Sequence, residues 1–387
     1  MATKSIFPFL SLPRELRDMV YRFALSFQEN KKTNIDGYTS YSIIPAWLWI
    51  NRQIHQEAAA VFRKNIFVAI STPWPRAFEH IESQGFVPVL AVGKAGETFK
   101  GYHLDVQISS PHIDEAHTFL ERFIILLDDL KTFCDFWFYQ DLDHPGLNTH
   151  LELTLVIKDP HSPEWDSRIV PKALQRQFLE PFGVVKSLHG IKVNGEHYAT
   201  IAKSMREMME TPAKSPEECF EEAIRLKDEG NVLLQNKQYR EAIKKYEESF
   251  HAIHILVQGR RRSVWADAYF HAELRSGPRK GQFGHIVRII LRFELVANTI
   301  LAYFRLGEYE EARFWGMRTI NLMGDVSPEE PLDFPAGKAI GHIYLRTAWA
   351  CRELGKKGEA LQFFRIAVGY LPSERQAIDS EIRSTLI

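Results

Sequence analysis

Residues 215–250, SPEECFEEAIRLKDEGNVLLQNKQYREAIKKYEESF, constrain the fold more than any other stretch of the chain. Ser215, Pro216 and Glu218 stand as N-cap, first helical residue and reciprocal partner of a capping box, so a helix starts here. QNKQ supplies a turn, and YREAIKKYEESF forms a second helix. With Ala223 as the first position, Gly230 is the small residue where the two helices touch, and Tyr239, Ala242 and Tyr246 are contact residues of the turn and second helix. The pattern recurs twice. Counted from Phe293, Tyr303, Tyr309 and Ala312 take matching positions, with Ile300 in place of the small residue and Gly316 in place of the aromatic one. Counted from Gly341, the matches are Ala348, Ala360, Phe364, Ala367 and Pro372. Three such repeats are the usual minimum for a stable stack. SERQAIDSEIRSTLI then reads as a polar-faced end helix over 373–386.

Helix–turn–helix repeats of about 34 residues with these markers resemble the tetratricopeptide (TPR) family. The resemblance implies an α-solenoid over residues 211–387, with repeats near 223–256, 293–326 and 341–374. The spacing is uneven. Residues 251–292 must hold an insertion, read as lengthened helices of the kind found in TPR domains of immunophilin-type co-chaperones, and GDVSPEEPLDFPAG reads as a loop.

Lys227 and Asn231, four apart in KDEGN, lie one turn apart on one helix face. They are either a solvated surface or half of a site for something negatively charged. In the TPR stack the first helix of each repeat lines the groove. The carboxylate-clamp type grips the Glu-Glu-Val-Asp tail of the seventy- and ninety-kilodalton heat-shock chaperones with Lys and Asn, then Asn, then Lys and Arg. Carried over by position, the resemblance implies a peptide site of Lys227, Asn231, Asn298 and Arg346, with His342 where the family has Lys. A terminal Asp presents two carboxylates close together, which suits convergent ammonium, guanidinium and amide donors. Asn is a mediocre helix former, so two of them mid-helix favour the clamp over a solvated surface.

The N-terminal region has another texture. In FPFLSLPRELRDMVYRFAL, Ser11 is read as a helix cap with Pro13 and Glu15 in the first turn, and Leu12, Leu16, Met19, Val20 and Phe23 recur at helical spacing. A polar loop, residues 28–40, leads to IIPAWLWINRQIHQEAAAVFRKNIFVAI, a second amphipathic helix running into a strand. Residues 12–21, 50–58, Val61, Phe62, Asn65 and Phe67 resemble the F-box-like module of fungal proteins. That resemblance implies docking of Leu12, Pro13, Leu16, Met19 and Val20 onto a Skp-type linker of a cullin ubiquitin ligase. The alternative is that the two helices only pack on the region that follows.

Residues 66–210 mix textures. FVPVLAV, YHLDVQI and LELTLVI read as strands, while IDEAHTFLERFIILLDDLKTF, VPKALQRQFLEPFGVVKSL and EHYATIAKSMREMME carry helical spacing. The expectation is a small α+β domain. LQRQFLEPFGVVKSLHGIKVNGE again resembles the segment that follows the F-box-like module.

Catalytic signals are thin. His112 and His117 are five apart, not the i, i+4 pair of a zinc protease helix, and Asp141, Asp143, His144 and His150 surround a Pro-Gly turn. No Walker loop, GxGxxG or GxSxG occurs. Cys134, Cys219 and Cys351 form no CxxC pair, which reads as a reduced intracellular chain. A net charge of −1 gives no global attraction to nucleic acid or membrane. Residues 258–292 are locally basic, with eight Arg/Lys against Asp267 and Glu273, and GRRRS could serve as a nuclear address or nucleic-acid patch. Its Trp and Tyr follow a helical pattern and read as core, so nucleic acid is disfavoured; a basic rim would also steer an acidic peptide. No apolar run reaches the ~20 residues of a membrane span.

Together these readings give a multidomain, mainly α chain: an F-box-like helical module (1–65), an α+β domain (66–210) and a TPR solenoid (211–387). They lead to a cytoplasmic or nuclear adaptor without cofactor, metal or catalytic site, whose groove binds acidic C-terminal peptides. The alternative is a substrate receptor of a cullin ubiquitin ligase that recruits clients through its TPR region.

Overall fold

A computed structural model describes residues 7–111, 121–162, 169–323 and 335–386. His112, His117 and most of the GDVSPEEPLDFPAG loop lie outside the described residues. The chain is mainly helical with a small mixed sheet, and it divides between Ala213 and Lys214 into two compact units.

The N-terminal unit opens with α1 (Arg14–Leu25), a hairpin of β1 (Lys31–Thr33) and β2 (Thr39–Tyr41), and α2 (Arg52–Phe62). Ser11 does not cap α1. Its hydroxyl donates back to the Pro8 carbonyl at 2.6 Å, and Pro13 takes the cap position without a side-chain hydrogen bond. Asn51 caps α2, its Oδ1 accepting from the Ile54 N–H. The stretch read as a polar loop holds the small hairpin, closed by the turn at Gly37.

There follow β3 (Phe67–Thr72), α3 (Ala77–Ser83), β4 (Ala91–Val92), α4 (Gly93–Thr98), β5 (Leu104–Ser109), β6 (Glu121–Leu126), α5 (Leu130–Asp143), β7 (Glu152–Ile157), α6 (Lys172–Leu179), β8 (Gly190–Asn194) and α7 (Ala199–Glu210). The six strands form one sheet in the order β4-β6-β3-β5-β7-β8. The β3–β5 and β7–β8 pairs are parallel, and the others antiparallel. Every residue of β3 is buried, as expected of a strand covered on both faces. Register fixes what each face holds: Val68 pairs with Leu104 and Ile125, Ile70 with Val106 and Phe123. Phe67, Ala69, Ile124 and Leu126 point the other way and pack with Phe27 and Tyr102.

Two readings are corrected here. IDEAHTFLERFIILLDDLKTF is not helical throughout: Glu121–Leu126 is a strand between β4 and β3, and the helix begins at Leu130. A short run such as RFIIL suits a doubly covered strand as well as a buried helix turn, and sheet pairing decides. FVPVLAV contributes only the two-residue β4.

The C-terminal unit is three helical hairpins in series: α8 (Pro216–Gln235) with α9 (Tyr239–Ala252), α10 (Gly284–Arg305) with α11 (Tyr309–Met323), and α12 (Gly337–Glu353) with α13 (Lys357–Tyr370). α14 (Arg375–Leu386) packs on α13. The capping box at Ser215 is complete in both directions, at 3.2 Å and 2.7 Å. α10 lies against α8, α9 and α12, and α11 against α12. Helix contact at Gly230 is close: a methyl group there would stand 2.5 Å from Tyr246 Cε1. The insertion is not lengthened helix alone. β9 (Ile255–Gln258) and β10 (Arg261–Val264) form an antiparallel hairpin, and Trp265 directly after it and Tyr269 in the turn that follows lie outside any helix. α10 is long, however, at 22 residues. Among the described residues no helix is long and apolar enough to cross a membrane.

Candidate docking surfaces

α1 has two unlike faces. One carries Arg17, Tyr21, Ala24 and Leu25 and turns toward α2, where Ile54, Ala58 and Val61 complete an apolar cluster. Arg17 reaches the buried Glu57 carboxylate through two hydrogen bonds, Nε to Oε2 at 2.8 Å and Nη2 to Oε1 at 2.7 Å. Tyr21 donates to the same carboxylate at 2.9 Å. The Arg17 hydrogen bonds hold the Glu57 carboxyl down at about 2, well below the usual carboxylate range. Burial and the hydrogen bond to Glu57 push the Tyr21 hydroxyl up to about 12. This network fixes how α1 lies on α2.

The other face is apolar and open to solvent. Leu16 and Met19 are each 45% exposed, and Phe23, one turn on, is 68% exposed. Pro13 is exposed, and Leu12 and Val20 are half-buried. In the connection before α2, Trp49 is 74% exposed and Ile50 is exposed too. Phe23 and Trp49 were not among the expected docking residues, although Phe23 follows Leu16 and Met19 at helical spacing.

The five residues expected to form a peptide site lie on the first helices of the three hairpins. Asn298 donates to Asn231 Oδ1 at 2.8 Å, and Tyr246 donates to the same oxygen at 3.0 Å. Arg346 donates to Asn298 Oδ1 at 3.2 Å and to the Ala297 carbonyl at 2.5 Å. Asn231, Asn298 and Arg346 thus form one polar chain across α8, α10 and α12. Burial pushes the Arg346 guanidinium down to about 10.

Lys227 and His342 are held apart from this chain by carboxylates of the protein itself. Lys227 Nζ meets Glu294 Oε2 at 2.5 Å, and His342 Nε2 meets Glu374 Oε1 at 3.0 Å. Burial lowers the pKa of His342 and the Glu374 hydrogen bond works against that, so the side chain favours its neutral form more than a free imidazole does. Both acids escaped the sequence reading. Glu294 was legible, four residues before Asn298 and so on the same helix face; Glu374 reaches His342 only through the turn after α13.

Elsewhere, Asp141 accepts from the Asn148 N–H at 3.1 Å and Trp137 donates to Asn148 Oδ1 at 2.8 Å, so the Pro-Gly turn is tied to α5. A cavity of about 440 Å³ opens beside Thr72 and Ile108, its lining mostly apolar and including Trp74, Phe133 and Trp137, with His80, Gln140 and His144 among its polar members. Among the described residues no group of three His, Cys, Asp or Glu could hold a metal ion. No family model matches the chain and no curated protein matches it, so its functional reading rests on its own residues.

Proposed function

We propose that the protein is a non-enzymatic interaction adaptor whose N-terminal module docks a helical partner on α1. The observation that carries this reading is the exposed Leu16, Met19 and Phe23 stripe, on a helix whose opposite face is locked by the Arg17–Glu57 network. Burying a fully exposed large apolar side chain is worth ~1.5–3 kcal/mol, so covering the exposed part of these three still offers a partner a favourable contribution, and exposed apolar patches mark interaction sites. The resemblance of this segment to F-box-like modules makes a Skp-type linker the partner to test. Full-length protein should capture the purified linker, and Leu16→Asp with Met19→Asp should abolish capture while the variant still unfolds cooperatively. A folded native chain that never captures it would overturn this reading.

A second reading concerns the C-terminal hairpins as a TPR-type solenoid whose groove takes an acidic peptide end. It is favoured by the convergence of Asn231, Asn298 and Arg346 from three successive first helices. The Glu294 and Glu374 carboxylates already sit against Lys227 and His342, so a peptide carboxylate must displace them. Binding of a free-acid Glu-Glu-Val-Asp peptide, weakened at least tenfold by C-terminal amidation, is the expected result. Equal affinity for both peptides would remove the clamp from the proposal.

A further inference from the structure

The cavity of about 440 Å³ in the N-terminal unit opens at one edge of the six-stranded sheet. β3 and β5, the two central strands, run parallel, and the carboxyl ends of both line it: Thr72 closes β3, and Ile108 is next to last in β5. Crevices outside the carboxyl ends of parallel strands are common seats for small ligands. α5 supplies a wall. Phe133, Phe136, Trp137 and Gln140 recur at i, i+3, i+4 and i+7, so they share one helix face, and all four line the cavity.

The loop after β3 supplies the rim. Trp74 stands between Pro73 and Pro75, whose rings fix the backbone on either side of it. Thr72 Oγ1 donates to the Trp74 carbonyl at 3.3 Å, and Arg76, in the left-handed region at φ +58°, pairs with Glu79 at 2.8 Å. Trp74 is 39% exposed, so a stiff loop holds an indole at the edge of an apolar cavity. The inner wall is fixed as well. Trp137 donates to Asn148 Oδ1 at 2.8 Å, and Gly85 approaches Phe136 so closely that a methyl group there would stand 2.7 Å from its Cγ. A preformed site spares a ligand the cost of ordering the protein.

The lining decides the class of ligand. Among the described residues no carboxylate, ammonium or guanidinium lines the cavity, so an ion entering it would leave its charge uncompensated. Trp74, Phe133, Phe136 and Trp137 offer ring faces and edges, which suit a planar ring in offset or edge-on contact. His80 and His144 are the exposed polar members and can each donate or accept a hydrogen bond at the mouth. The volume falls within the ~300–1,000 Å³ of small-molecule sites. We propose that this cavity binds an uncharged, ring-bearing small molecule, its rings between α5 and the Trp74 loop and its polar group toward His80 and His144. The site shares no residue with the exposed α1 stripe or with the Asn231–Asn298–Arg346 chain, so it stands apart from the adaptor reading.

The test is a fluorescence titration of the full chain with N-phenyl-1-naphthylamine, a neutral aromatic dye that brightens on leaving water. Saturable binding at micromolar dye is expected, with displacement by 1-naphthol at lower concentration than by 1-decanol. Ala77→Trp places a large side chain at a half-buried position of the lining and should weaken dye binding at least tenfold. Trp74→Ala, at the exposed rim, removes one ring and should weaken it several-fold in a chain that still unfolds cooperatively. His80→Leu with His144→Leu should lessen the advantage of 1-naphthol over 1-decanol. Leu322→Ser, at an exposed apolar position of α11, should bind as the native chain does. Dye affinity unchanged in both Ala77→Trp and Trp74→Ala would place the dye on exposed apolar surface elsewhere, such as that of α1, and overturn the proposal. Absence of saturable binding would overturn it too, and tighter displacement by 1-decanol would replace the ring compound with an acyl chain.

Discussion

The exposed face of α1 and the groove of the C-terminal hairpins were both expected to dock a partner, and their side chains are satisfied to opposite degrees. On α1, Arg17 and Tyr21 are engaged by Glu57 of α2, while Leu16, Met19 and Phe23 keep apolar surface open to water. Among the residues expected to line a groove the reverse holds: Lys227 has Glu294, His342 has Glu374, and Arg346 has Asn298 and a backbone carbonyl. A residue type matching a motif therefore says little about whether its side chain is available. What is left unpaired after folding is the better guide to docking, and by that measure α1 outranks the groove.

The sharpest way to break this comparison is to disturb each face of α1 in turn. Glu57→Ala removes the carboxylate that accepts from both Arg17 and Tyr21 and should lower the denaturation midpoint of the N-terminal unit more than any other change to this face, read by chemical denaturation of the full chain. Leu16→Asp and Met19→Asp, at positions a little under half exposed, should each cost no more than about 1 kcal/mol, well short of the Glu57 variant. The Glu57 contribution has a signed pH dependence. Its folded pKa is depressed, so the stabilisation is complete above the ordinary carboxylate value and is lost as pH falls from about 4.5 toward about 2. Glu57→Gln should remove that part of the acid transition. A large loss from the Leu16 or Met19 variants would instead show that this face is packed in solution.

The C-terminal unit can be perturbed by smaller amounts. Gly230→Ala drives a methyl group into the Tyr246 ring and should cost about 1–3 kcal/mol. The helix–helix turns offer a change of opposite sign. Gly307 and Gly355 adopt φ of +78° and +74° in the second and third hairpins, and Lys237 holds the equivalent place in the first at +60°. A side chain in that region is strained by ~1–2 kcal/mol, so Lys237→Gly should leave stability unchanged or raise it by up to about 1 kcal/mol once the greater freedom of the unfolded chain is counted. A loss of more than about 1 kcal/mol would mean that the Lys237 side chain itself supports the turn.

Local chemistry made much of this architecture legible. Ser215, Pro216 and Glu218 mark a helix start because each contributes a separate hydrogen-bonding or backbone constraint, and the capping box is present in full. LELTLVI alternates and forms a half-buried strand. Where signals were local but ambiguous, long-range contacts decided. ERFIIL became a strand because β3 and β4 were there to pair with it, and the basic insert became a hairpin because Ile255 and Val257 are buried beside α9. The resemblance to carboxylate-clamp repeats singled out Asn231, Asn298 and Arg346, but their partners within the fold could not be read that way. Glu374 reaches His342 across 32 residues, and no periodicity encodes that contact.

The smallest expected effect bears on that last contact. His342 is lowered chiefly by burial, with Arg346 and Lys338 adding repulsion and the Glu374 hydrogen bond opposing them. A histidine whose folded pKa lies below its unfolded value takes up a proton more readily when unfolded. Its stabilisation is therefore complete above the ordinary value of ~6.5 and declines as pH falls below it. Between pH ~7 and ~5.5 the decline should be less than about 1 kcal/mol, and His342→Gln should flatten it. Glu374→Gln removes the one neighbour that favours the charged form, so it should steepen the decline. Thermal melts of the three proteins across that range make the comparison. If Glu374→Gln instead leaves the slope unchanged, the His342–Glu374 pair does not persist in solution, and the third hairpin of the groove has an imidazole free to meet an incoming carboxylate.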